Sequence, residues 1–425
     1  MTDAAAARPR AAFKLLPIPN RWLVVALVIF MQAFTMGTFT YTFSFWVQPW
    51  TQAFDATKTD VMVIASVRIY AVAIGSFLLA KYLDKLPQRL VATVGVLAYA
   101  GGMLIAAAAP SLMAIMGVYV IFVPLAMTLA GPIAAITFVS RAFEKNRGLA
   151  IGIATMGSSV GGALIPNLTA RLLESGDWRQ AHLVLGLSSL LVLPLIWLIL
   201  RKPQVAASAA VARGPTPAKA PDMTTLQMLR SVDFWLCSVA FMAGFSVFVL
   251  IQFNIAPFAA DVGVSLKSAA LFVTAFTLGM LGGRLAVGYL TDRMDTRYVF
   301  LCTSALICAG LLLFAIQAPF VGLIVGFTLT GIGSGGLYPL KGKLLSDIYG
   351  VANVGRALGV IAPFTSFYGM APTIGAWIRD RTGSYDAVFY AAAGLTVVSA
   401  PLLLLVRSRQ TKAAERDSGE IAKAA

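Results

Sequence analysis

The sequence predicts an all-α membrane protein in which twelve transmembrane helices form two pseudo-symmetric six-helix bundles. Three observations carry that prediction. The 425-residue chain is 59% apolar and only 12% charged, roughly half the charged share of a soluble domain. Its apolar residues fall into runs of about 20, the length that crosses ~30 Å of hydrocarbon. Residues of the first half also match residues of the second at a fixed offset of 208.

The first half holds apolar runs at 22–47, 60–81, 89–109, 112–140, 148–170 and 180–200. The second holds runs at 232–257, 268–290, 298–317, 320–340, 357–378 and 387–406. Helix 4 is long enough for part of it to lie outside the membrane. The expected organisation is a cytoplasmic tail 1–21, an N-terminal bundle 22–200, a cytoplasmic linker 201–231, a C-terminal bundle 232–406 and a cytoplasmic tail 407–425. The linker opens with RKPQVAASAAVARGPTPAKAP, a basic, Ala- and Pro-rich stretch suited to a flexible connector. Residues 222–233 read as the start of a short amphipathic helix. The first tail carries Arg8, Arg10, Lys14 and Arg21. The apolar run after it is too long for a cleaved signal, so it reads as helix 1.

Charge supports this topology. With the N-terminus inside, 25 of the 33 Lys and Arg residues fall on cytoplasmic segments, Lys341, Lys343 and Arg356 among them. Six fall outside: Lys58, Arg171, Arg179, Lys267, Arg379 and Arg381. That is the positive-inside pattern, and it places both termini on the cytoplasmic side of the inner (plasma) membrane. The net charge of +15 then reflects topology and contact with membrane lipids, and no nucleic-acid partner is inferred. Cys237, Cys302 and Cys308 lie in apolar runs without metal-ligand spacing and read as small core residues. His182, the only histidine, cannot form a metal site alone and reads as packing. No cofactor or metal is expected. An enzyme is not expected either, because no nucleophile–base pair, metal cluster or phosphate loop occurs.

The repeat pairs Gly75 with Gly283, Asp84 with Asp292, Lys85 with Arg293, and Arg89 with Arg297. Each set closes the second helix of its half and turns into the third. An acidic residue there can face a helix N-terminus, basic residues can hold the loop at an anionic leaflet, and glycines allow close helix packing. Arg147 and Arg356 likewise open the fifth helices, through RGLAIGIATMG and RALGVIAPFTS. Gly-aromatic turns follow both, at GDW and GSY. The segment GYLTDRMDTR, from Gly288 to Arg297, resembles the signature loop of the major facilitator superfamily. The first copy, AKYLDKLPQR, departs from that pattern at Ala80 and Pro87. The resemblance covers nearly the whole chain. It implies the major facilitator fold and alternating access by rocking bundles. It further implies a conformational role for Asp84, Lys85, Arg89, Gly288, Asp292, Arg293 and Arg297, in which Asp84 and Asp292 with their basic neighbours stabilise the outward-open state through the cytoplasmic loops.

Only Arg68 in helix 2 and Arg284 in helix 8 are charged and well inside helices. All 18 acidic residues lie in loops, tails or helix ends. A buried arginine is costly and keeps its proton, so each guanidinium requires backbone carbonyls, water or an external anion. A small organic anion suits its planar fork of donors. The structural alternatives are that Arg284 serves the nearby cytoplasmic end and that Arg68 snorkels or caps carbonyls of a broken helix. The two Cα atoms differ in height by roughly 11 Å, which argues against one small carboxylate touching both.

Finer wording resembles the monocarboxylate-transporter-like and oxalate–formate exchanger-like branches. It lies in YTFSFWVQPW of helix 1, FNIAPFAADVGVS of helix 7 and GRLAVGYLTDR of helix 8. That resemblance implies that Arg284 holds a substrate carboxylate. The departures are Thr40 and Tyr41 where some relatives have lysine, Met280 in place of an acid, and no lysine in 357–378. Lacking that second cation, the site favours a monocarboxylate over a dicarboxylate. Tyr41, Gln252, Asn254 and Tyr338 are candidate donors to the anion, and Phe367 and Tyr368 candidate seals over an apolar tail. With no carboxylate in the membrane, a coupled proton would ride on the substrate; otherwise a counter-substrate is exchanged or transport is facilitative. A monomer is expected. The alternatives are an inorganic anion such as nitrate or nitrite, efflux of a hydrophobic compound (GSSVGGALIP in helix 5 faintly resembles an exporter motif), or an anion sensor without flux.

Overall fold

A computed structural model describes residues 20–143, 147–200, 224–350 and 353–406. Nearly all of the two expected tails and most of the linker lie outside the described residues. So do the side chains of Asp84 and Lys85.

Among the described residues, twelve helices are long and apolar enough to span a membrane. They are α1 (Arg21–Tyr41), α2 (Lys58–Leu79), α3 (Gln88–Ala107), α4 (Leu112–Ala142), α5 (Leu149–Ser175), α6 (Trp178–Ile199), α7 (Val232–Asp261), α8 (Leu266–Thr291), α9 (Thr296–Ala315), α10 (Phe320–Tyr349), α11 (Arg356–Thr382) and α12 (Asp386–Leu405). No strand occurs among the described residues. A short helix, Thr225–Leu229, precedes α7 and is closed by a capping box between Thr224 and Gln227.

Several helices depart from the expected runs. The chain beyond α1 stays helical to Phe54, through a 3-10 turn at Phe43–Trp46 and a helix at Val47–Phe54. The last turn of α1, Gly37–Tyr41, is wound as a π-helix. Helix α4 breaks at Gly131, whose backbone is extended, and restarts with Pro132 in its first turn, where the missing N–H has no cost. Helix α10 continues nine residues past the expected end at 340. The added turns are amphipathic: Leu344, Leu345, Ile348 and Tyr349 are buried, so the helical period holds although the hydropathy falls. Helix α11 runs through a 3-10 turn at Ser366–Met370 between Pro363 and Pro372.

Two contacts related by the repeat join the halves: α2 packs on α11, and α5 packs on α8. Glycines set both the internal and the cross-half spacing. A Cβ on Gly75 would lie 2.6 Å from Pro124 of α4, and one on Gly283 would strike the Ile332 carbonyl of α10. The matched glycines therefore seat the second helix of each half on the fourth. In α5 a Cβ on Gly157 would lie 2.7 Å from the Ile29 carbonyl oxygen of α1. One on Gly162 would lie 2.8 Å from Thr277 of α8. The GSSVGG stretch is thus a small-residue surface for two neighbours. Gly288, by contrast, faces open space, so close packing does not explain it.

His182 is fully buried among Trp46, Trp50 and Trp178, with Nδ1 2.9 Å from the Trp178 carbonyl oxygen. Cys237 is buried and Cys308 half-buried, whereas Cys302 is exposed, which corrects its reading as a core residue.

Candidate functional site

The halves enclose a cavity of about 320 Å³ lined by α1, α2, α4, α7, α8, α10 and α11. Both Arg68 and Arg284 line it, together with Tyr41, Gln252, Tyr338 and Tyr368. The approach of the two arginines depends on the unusual end of α1. Where the winding passes from π-helix to 3-10, the regular backbone ladder is interrupted. The Phe39 carbonyl accepts a hydrogen bond from Arg68 Nη1, and Thr40 Oγ1 lies 3.4 Å from the same nitrogen. The next residue, Tyr41, lies against the Arg284 guanidinium, and both line the cavity. Consecutive residues of one turn thus touch one arginine each, and the expected height difference does not separate them into two sites.

Neither guanidinium has a carboxylate partner among the described residues, and no Asp or Glu lines the cavity. Arg68 is 4% exposed and stacks over the Phe253 ring at 4.9 Å. Its Nε has no hydrogen-bond partner, and neither has the buried Gln252 Nε2. Such orphaned buried donors are rare in folded proteins. The remaining wall is largely apolar, with Met36, Ile69, Val72, Phe248, Val249 and Met280. An apolar pocket of this size with few convergent polar groups is the ordinary form of a small-molecule site.

Two of the expected residues fall outside the cavity. Asn254 is 1% exposed and already engaged: Nδ2 donates to the Leu250 carbonyl at 2.9 Å, and Oδ1 accepts from the Tyr385 hydroxyl at 2.9 Å. Burial holds the Tyr385 phenol well above its ordinary pKa, so it remains a neutral donor. Phe367 is exposed and does not line the cavity. Its neighbour Tyr368 lines it because the 3-10 turn of α11 points successive side chains differently.

The two ends of the molecule differ. Beyond Arg68 and Tyr41 the halves are laced together. Asp261 at the end of α7 accepts from Lys58 Nζ at 2.6 Å and from Arg379 Nε at 2.7 Å. Asp380 accepts from the Thr59 backbone N–H and hydroxyl at 3.0 and 2.7 Å. Deeper in, Ser66 meets Thr373 at 2.7 Å, and Asn167 donates to Thr274 at 2.9 Å. Toward the other end Arg284 is half-buried and Tyr338 is 59% exposed, so the cavity opens there. Lys58 and Arg379 read from the sequence as outer charges, but nothing in their local pattern names Asp261 as their common partner.

At the open end the repeated loops brace each half internally. Arg89 donates to the Trp197 carbonyl at 2.7 Å, and Arg297 to the Val406 carbonyl at 2.9 Å. Each ties the start of its half's third helix to the end of its sixth. Arg293 stacks on Tyr289 at 4.0 Å. Asp292 is exposed, and its carboxylate makes no hydrogen bond among the described residues. Asp295 instead caps α9, accepting from the Arg297 backbone N–H at 2.9 Å.

The profile of the family described as Major Facilitator Superfamily matches residues 25–273 and 236–424. The chain belongs to the major facilitator superfamily. That family is one of transporters, not of enzymes. This facilitator is 29% identical to Monocarboxylate transporter 12-B of Danio rerio over 64% of its own length and 62% of the relative's. It is 28% identical to Monocarboxylate transporter 13 of Rattus norvegicus over 90% of this chain and 88% of that one. With the uncharacterized MFS-type transporter YcxA of Bacillus subtilis it shares 24% identity over 80% of this chain and 83% of that one. The chain thus spans less than two thirds of some of these relatives and most of others. Among solved structures, a bacterial homolog of the human lysosomal transporter Spinster, inward-facing and unoccupied, superposes with a TM-score of 0.66 at 17% identity. That match covers 92% of this facilitator and 96% of the Spinster homolog.

Proposed function

We propose that this facilitator is a carrier of a small organic anion of the carboxylate class, working by alternating access around the Arg68–Arg284 cavity. One observation carries the reading: two guanidiniums face one largely apolar cavity with no carboxylate among the described residues to neutralise them. An incoming carboxylate supplies that charge, taking donors from Arg284, Tyr41 and Tyr338. Its apolar part lies against Met280, Val249 and Phe253. Arg68, held by the Phe39 carbonyl, attracts the anion and closes the path above it. The charge bias of the loops makes the open end cytoplasmic, so the present state is inward-open. In the outward-open state the loops around Asp84 and Asp292 meet, and the Asp261 contacts part. Because no acid lines the cavity, a coupled proton enters as part of the protonated substrate. The similarity to proteins named monocarboxylate transporters supports the substrate class.

The test is uptake of labelled propionate into proteoliposomes, with and without a pH gradient or internal counter-anion. Saturable uptake is expected, falling about 30-fold or more in Arg284→Gln, since a charge-assisted hydrogen bond is lost. Absence of uptake of any small carboxylate by folded wild-type protein overturns the reading and turns attention to nitrate and to efflux substrates.

A further inference from the structure

We propose that Lys341 is a second anion-binding group of the transport path, so that the preferred substrate carries two carboxylates. This rests on the carrier reading above and narrows its substrate class. A charge count along the chain assigns Lys341 to a loop, because the apolar run of helix 10 ends at residue 340. In the structure α10 continues to Tyr349, and Lys341 is carried into the helix, three residues after Tyr338. Residues three apart are neighbours on one helix face.

That face looks inward. The Phe245 ring lies 4.8 Å from the Tyr338 ring and 5.7 Å from the Tyr368 ring, both of which line the cavity. The Lys341 ammonium lies 5.6 Å from the same Phe245 ring. Its hydrogen bond goes to the Thr365 hydroxyl of α11 at 3.2 Å. Phe245 and Thr365 are 3% and 2% exposed, so the ammonium is held against the bundle interior and does not run out along the surface. Thr365 is neutral and Phe245 offers only a ring face. Among the described residues no carboxylate pairs with Lys341. Lys343, two residues on, has Asp347 at 2.7 Å. An ammonium has three donors, and the Thr365 contact uses one.

The position suits a second oxyanion. Tyr338 and Arg284 line the same cavity, and Lys341 is displaced about 4.5 Å along the helix from Tyr338 toward the open end. A short dicarboxylate with one end on Arg284 directs the other toward Lys341. A monocarboxylate leaves this ammonium without a counter-charge.

The test compares succinate and propionate as competitors of labelled propionate uptake, using the full-length protein, Lys341→Gln and Lys341→Arg, with thermal unfolding as the check on folding. In wild type, succinate is expected to compete at about tenfold lower concentration than propionate, reflecting one added charge-assisted contact. Lys341→Gln is expected to remove that advantage while changing propionate competition by less than about threefold, and Lys341→Arg to restore most of it. Competition by propionate but not succinate in wild type overturns the inference and leaves the carrier reading intact. An equal loss for both anions in Lys341→Gln also overturns it, since the role is then structural. No competition by either anion, with no uptake, removes the carrier reading as well.

Discussion

The two ends of this molecule hold themselves together in opposite ways. At the Asp261 end, a charged pair binds one half to the other: a carboxylate from α7, held within its own half by an arginine from α11, takes a lysine from α2. At the end with the repeated loops, the charges we describe bind each half to itself. Arg89 and Arg297 tie third helices to sixth helices, Arg141 donates to the Leu83 carbonyl, and Lys343 pairs with Asp347. Under the proposed alternating access, the first arrangement is a latch that must break for the halves to rock. The second keeps each half rigid while it rocks. Conformational bias and bundle stability therefore reside in different residues, and mutations can separate them.

The largest effect is expected from Asp261→Asn. The substitution leaves Lys58 and Arg379 facing each other with a neutral partner. The side chains of Asp261 and Lys58 are each only 19% exposed, so screening is incomplete. The open population at this end should rise about tenfold, equivalent to ~1.4 kcal/mol. Spin labels at Gln52 and Lys267, exposed positions of the two halves at this end, report it as growth of a long-distance component by electron–electron dipolar spectroscopy in a protein lacking its three cysteines. An unchanged distance distribution would show that the Thr59–Asp380, Ser66–Thr373 and Asn167–Thr274 contacts hold this end without the Asp261 charge.

The contrast between the ends also explains what the sequence made legible. Twelve spans follow from hydropathy, because each crossing needs a full apolar run. The intrahalf braces follow partly from the repeat, since Arg89 and Arg297 occupy matched positions and do matched work. Arg68 and Arg284 stand out because charge inside an apolar run is rare. What is lost is whatever depends on partners distant in sequence. Asp261, Lys58 and Arg379 each look like an ordinary helix-end charge until three helices bring them together. Lys341 is hidden for a different reason, because the apolar count stops where the helix does not. Asn254 misleads because a polar residue in a membrane helix can be satisfied by its own carbonyl ladder and one tyrosine. The shared cavity of the two arginines rests on the π-turn at Gly37–Tyr41, which no composition rule announces.

A smaller effect is expected at the other end. Arg89→Gln and Arg297→Gln each remove a charge-assisted bond to a carbonyl, and the first also loses the stacking on Trp197 at 3.9 Å. Each should lower Tm by about 3–6 °C in a thermal unfolding measurement. The Gln52–Lys267 distances should stay unchanged, because no contact between the halves is lost. A conformational shift as large as that of Asp261→Asn would break the distinction between latch and brace.

The smallest effect concerns pH. The side-chain hydrogen bond from Arg297 holds the Asp295 carboxyl below its ordinary range, with burial opposing. A depressed folded pKa means that the stabilisation is present above the unfolded value near 4. It is lost as the pH falls through the lower folded value. Asp295 is a rim residue with its side chain 36% exposed, so solvent screening holds the contribution to roughly 0.5 kcal/mol or less. Unfolding followed from pH 7 down to pH 3 should show the wild type losing this small increment, and Asp295→Asn should lack that part of the slope. The Gln52–Lys267 distances should not respond over the same interval if Asp295 serves only the brace. A change in them that disappears in Asp295→Asn would instead tie the capped end of α9 to the latch and make the two ends one coupled device.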